Sequence, residues 1–93
     1  MIDHKYKILA VNPCTGNIHT EEDSVLFCVS DKHLAGTISD YIARLKNDIE
    51  VSPENVESAT LLLGRVREKQ MKDGVKSPDI NSCEIDRCIG GKV

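Results

Sequence analysis

Tryptophan is absent from this chain, and the other aromatics occur three times in all, as Tyr6, Phe27 and Tyr41. A single-strand nucleic-acid binder stacks bases on aromatic rings, so three such residues furnish a poor platform. The same scarcity leaves the core to leucine, isoleucine and valine. Long apolar runs are missing too: none approaches the roughly 20 residues that a bilayer-spanning helix needs. The apolar part of the opening "MIDHKYKILAV" is broken at Asn12-Pro13, with no small-residue cleavage pattern behind it. It reads as a first strand, not a signal peptide. An excess of basic charge is also lacking. Twelve Lys and Arg against 15 Asp and Glu leave a net charge of −3, which argues against general nucleic-acid binding.

What remains is a small aliphatic domain. Ninety-three residues make one domain with a thin core, which pairing with a second copy would help to bury. The four cysteines are Cys14, Cys28, Cys83 and Cys88. Without a secretory signal they are expected as reduced thiols in the cytoplasm.

Residues 5–11 alternate, with Tyr6, Ile8 and Ala10 on one face and Lys5, Lys7, Leu9 and Val11 on the other. "NPCTGN" then concentrates turn formers: Asn12 caps, Pro13 pre-sets φ and Gly16 accepts positive φ. A hairpin with a short return strand at "IHT" follows. "VLFCVS" is β-branched and too short for an independent helix, so it reads as a buried strand. "SDKHLAGTISDYIARLKNDIE" predicts a helix capped by Ser30 or Asp31, with Leu34, Ile38, Tyr41, Ile42, Leu45 and Ile49 in one stripe. Gly36 within it suggests a close packing contact or a later start at Thr37. "SPEN" opens a second helix, with Ser52 as cap and Pro53 in the first turn. Val56, Ala59, Leu63, Val66 and Gln70 form its stripe, and Gly74 ends it. The short link between the helices predicts an antiparallel pair. The expected fold class is α+β: an N-terminal β-hairpin or three-stranded meander packed on an antiparallel two-helix hairpin. The expected organisation is a single domain over 1–74 and a mobile C-terminal tail over 75–93.

Several groups of residues invite a chemical reading. Cys14 and His19 flank the turn, and nucleophilic cysteine chemistry needs a thiolate beside a base. Turn chemistry accounts for this stretch without such a role, so no catalytic residue is assigned. Cys83 and Cys88 stand at the limit of zinc-ligand spacing, while His4, His19 and His33 are scattered. A structural zinc or cysteine-dependent protein using Cys83/Cys88 or Cys14/His19 is therefore the alternative, and no metal or cofactor is expected. Lys32 and His33 stand in the first turn of a helix, where exposed N–H groups attract anions. Arg44, Arg65 and Arg67, with Lys46, Lys69 and Lys72, sit on the two helices and suit an acidic ligand. Lys32, His33, Arg44, Arg65 and Arg67 are the candidate binding residues.

The block "NPCTGNIHTEEDSVLFCVSDKHLAGTISDYI" resembles a layout of small phage-encoded accessory proteins, with an "NPxTG" hairpin, an acidic loop, an apolar strand ending in Asp and a helix bearing a Tyr. The resemblance covers about a third of the chain and brings no catalytic residues. It implies an accessory protein acting in the cytoplasm of a bacterial host. The function expected is that of a non-enzymatic binding protein that occupies a host protein or a small anionic signalling ligand. Self-association through the helices is expected, and membrane contact is not.

Overall fold

The computed structural model describes residues 5–79 and residue 84. Two strands and two helices follow one another: β1 (Leu9–Val11), β2 (Ile18–Thr20), α1 (Leu34–Lys46) and α2 (Pro53–Asp73). The α+β class stands. The chain divides into two compact units, one formed by Met1–Phe27 with Asp79–Val93 and the other by Cys28–Pro78.

In the first unit β1 and β2 pair antiparallel, with Leu9 opposite Thr20, Ala10 opposite His19 and Val11 opposite Ile18. The turn forms as its residues dictate. The Asn12 side-chain oxygen accepts the N–H groups of Cys14 and Thr15, and Gly16 takes φ +79°. β1 is shorter than the alternation over 5–11 predicts. At Ile8 the backbone N–H goes to the Glu21 carboxylate at 3.0 Å rather than to a strand carbonyl, so the ladder stops at Leu9. Further along, the Lys5 ammonium contacts Glu84 at 2.9 Å and Asp79 at 3.6 Å. The bond to Glu84 raises the pKa of Lys5 above its ordinary value, against a smaller opposing effect of burial.

Over residues 24–30, expected as a buried strand, the described structure holds no named strand: Leu26 occupies a single β-bridge position, and Leu26, Phe27 and Cys28 are half-buried. The sheet has two strands among the described residues, and Val25 and Val29 are exposed. The backbone turns at the end of this segment, with the Asp31 N–H bonded to the Cys28 carbonyl at 3.0 Å.

The second unit is the helix pair. Its core is Leu34, Ile38 and Ile42 from α1 against Ala59, Leu63 and Val66 from α2, at the three- and four-residue steps that align side chains on one face. Gln70, near the end of α2, donates to the carbonyls of Val29 and Asp31 at the entry of α1. The helices are therefore antiparallel. Beyond α2, Lys76 lies parallel to Asp31, giving its carbonyl to Lys32 N–H and its N–H to the Ser30 carbonyl. Of the tail expected over 75–93, Lys76 is thus held in a bridge, while residues 80–83 and 85–93 lie outside the described set.

Three details of α1 differ from expectation. The helix begins at Leu34, with His33 at the N-cap. Asp31, 3% exposed, acts one turn earlier: its carboxylate accepts His33 N–H and its carbonyl accepts Leu34 N–H. Gly36 marks neither a close contact nor the start, since a Cβ there would meet nothing within 4 Å. Tyr41 and Ile49 leave the core, at 56% and 100% exposure. Tyr41 sits on the flank of the stripe, and Ile49 lies past the helix end, where Asn47 N–H bonds back to the Arg44 carbonyl. α2 starts at Pro53 and ends before Gly74 (φ +81°), as its sequence predicts. The Ser52 hydroxyl makes no cap bond to the helix backbone and accepts the Asn55 side-chain amide instead, at 3.2 Å. No described helix is long and apolar enough to cross a membrane.

Candidate functional site

The five candidate residues do not converge. Lys32 and His33 precede α1, and Arg44 is in its last turn, about 17 Å further along the axis at 1.5 Å per residue. Arg65 and Arg67 are both exposed on α2, but two residues apart on a helix means about 200° of rotation, so they face opposite ways. At the start of α1 the groups that would hold an anion are partly taken. Asp31 occupies the N–H of His33, and Lys76 that of Lys32.

The basic residues that do come together lie on the outer face of α2. Arg65, Lys69 and Lys72, with Glu68 among them, line an open depression of about 290 Å³. Their steps of three and four residues stack them along one stripe, opposite to the core-facing Leu63 and Val66. Lys69 is paired with Asp73 at 2.7 Å. Among the described residues no ion pair engages Arg65 or Lys72. The spacing was readable in the sequence, where Lys69 and Lys72 stand at i+4 and i+7 from Arg65, whereas Arg67 breaks that step.

Around the turn, Cys14 and His19 are not joined by a hydrogen bond. His19 Nδ1 lies 2.9 Å from the Asp23 carboxylate, whose other oxygen accepts Thr20 N–H at 2.9 Å. These bonds, that of His19 first, lower the Asp23 pKa below its ordinary 3.8. The acidic stretch 21–23 thus spends two of its carboxylates on strand ends: Glu21 on β1 and Asp23 on β2. No group of three or more His, Cys, Asp or Glu suited to a metal ion exists among the described residues. His4, Cys83 and Cys88 lie outside that set.

A second exposed feature went unread in the sequence. Leu9, Val11 and Ile18 are 75%, 57% and 59% exposed. Pairing across the hairpin puts all three on one face of the sheet. The apolar Leu9 and Val11 on one face suggest that this face is partly covered, whereas both are exposed.

No protein family matches this chain, and neither does any curated protein or solved structure.

Proposed function

We propose that this chain is a non-enzymatic binding protein of the phage accessory type. It occupies an acidic partner, either a host protein surface or a small anionic signalling ligand, with the outer face of α2. The observation that carries this reading is the stripe of Arg65, Lys69 and Lys72 on one helix face of a chain whose net charge is −3. A local positive stripe on an acidic protein concentrates its attraction for anions in one place. Arg65 supplies a planar fork for a carboxylate or phosphate, and Lys72 adds a point charge one helical repeat away.

The test is capture from bacterial lysate, read by mass spectrometry for both proteins and small molecules. The wild-type chain is compared with an Arg65→Ala, Lys72→Ala double variant. Both sites are exposed, so the variant should melt within a degree or two of wild type. Capture by the wild type that falls at least tenfold in the variant supports the reading. A partner retained equally by both proteins removes the site from α2.

A further inference from the structure

The two outer edges of the β-hairpin are not equivalent. In an antiparallel pair, residues alternate between those that bond to the partner strand and those whose N–H and C=O point outward. Asn12 N–H bonds to the Asn17 carbonyl at 2.8 Å, which sets the phase. Ala10 and His19 bond to each other, while Leu9 and Val11 on β1, and Ile18 and Thr20 on β2, direct their backbone groups outward. On β2 the outward groups of Thr20 are consumed. Its N–H goes to the Asp23 carboxylate, and its carbonyl accepts both Asp23 N–H and the Ser24 hydroxyl. On β1, among the described residues, nothing bonds to the outward groups of Leu9 or Val11. The β2 edge is closed at Thr20 by its own acidic loop, leaving Ile18 alone open there, whereas the β1 edge is open at both outward positions beside exposed apolar side chains. An open edge of this kind is a template for another strand.

We propose that the open edge of β1 pairs with β1 of a second copy of this chain, antiparallel, about a two-fold axis through Ala10. In this register Leu9 stands opposite Val11 of the second copy, and Val11 opposite its Leu9. Four backbone hydrogen bonds form and satisfy both outward N–H and both outward C=O groups of each copy. Ala10 meets its own counterpart on the axis, where non-bonded pairs bring Cα atoms to about 4.5 Å and a small side chain packs without obstruction. Side chains also agree. Leu9 and Val11 become cross-strand neighbours, so that Ile18, Val11, Leu9 and Thr20 run in a row across four strands. Charge does not oppose the pairing. Residues 8–13 carry none, and Lys7 and its copy stand about 20 Å apart at 3.3 Å per residue. Pro13, the next outward position, has no N–H to give and ends the ladder. The contact is small, so the dimer forms in a concentration-dependent way.

Sedimentation over a concentration series, with the full chain and two proline variants, tests the pairing. Val11→Pro removes an outward donor from β1, and Ile18→Pro removes one from β2. Neither touches the bonds between Ala10 and His19, and proline is tolerated on edges at such positions. Wild type and Ile18→Pro should dimerise with rising concentration, and Val11→Pro should stay monomeric. A monomeric wild type at every concentration overturns the proposal and leaves the edge to a strand of another protein. Equal self-association of both proline variants overturns it too. The register is tested separately by cysteine substitution in a Cys14→Ser background, with glutathione disulfide as oxidant. Ala10→Cys should yield a dimer whose link maps to position 10 in both chains. Leu9→Cys should not, since its copies stand roughly 8 Å apart, beyond disulfide reach. Cross-linking by Leu9→Cys alone, or by neither variant, overturns the register. Melting curves confirm that each variant folds.

Discussion

Gln70 donates its side-chain amide to the carbonyl of Val29 at 2.8 Å. The same nitrogen reaches the carbonyl of Asp31 at 3.1 Å. One side chain thus ties the last turns of α2 to the entry of α1, where the backbone has not yet begun to satisfy itself helically. Gln70→Ala leaves both carbonyls without that donor and should destabilise the chain by about 1 kcal/mol. Urea denaturation checks this. A midpoint equal to that of wild type would show that water replaces the amide at no cost.

Gly36 lies inside α1, and its missing Cβ faces open space. Glycine costs a helix interior roughly 0.5–1 kcal/mol relative to alanine. Gly36→Ala should therefore raise stability by about that amount, seen as a higher melting temperature. A decrease would reveal a close approach that the geometry does not contain.

Ser52 stands at the N-cap of α2 but makes no bond to the helix backbone. Ser52→Ala should then cost well under the ~1 kcal/mol of a working cap. Leu63→Ala offers the contrast. Leu63 is buried in a core of few residues, and its truncation should cost about 2–5 kcal/mol. Denaturant melts of the two variants side by side should differ several-fold in effect.

Asp23 serves His19 and the Thr20 backbone, and both bonds favour its charged form. A carboxyl whose pKa is lowered on folding adds stability above its unfolded value, ordinarily near 3.8, and loses it as pH falls through the lower folded value. The pair is about half exposed on both sides, so the contribution is small. Asp23→Asn should lower the melting temperature slightly at pH 6, with the deficit vanishing once pH falls below the lowered folded value. Equal deficits at both pH values would mean that the loss is one of hydrogen-bond shape rather than charge.

What could be read directly lay where a few neighbouring residues decide the backbone. Asn12, Pro13 and Gly16 specify their turn through side-chain capping and φ preference. Pro53 and Gly74 bound α2 for the same local reason. The stripes of Leu34, Ile38 and Ile42, and of Ala59, Leu63 and Val66, follow from helical spacing. Arg65 with Lys69 and Lys72 is legible as a stripe by the same rule, which places Arg67 on another face.

What tertiary structure alone decided depends on residues far apart in the chain. Asp31 takes over the start of α1 because Lys76 and Gln70 hold the backbone around it. β1 stops at Leu9 because Glu21 comes back to claim the N–H of Ile8. Residues 24–30 have the composition of a strand, yet the described backbone there holds one bridge position, at Leu26, because strand propensity is realised only where a neighbour pairs with it. The closure of the β2 edge at Thr20, with β1 open at both Leu9 and Val11, rests on where Asp23 and Ser24 fold back upon Thr20. The sequence determined the turns, the helix limits and the apolar stripes, since these need only local backbone preference and periodicity. Tertiary contacts decided which hydrogen-bonding groups are spent and which stay open, because each depends on a partner delivered from elsewhere in the chain.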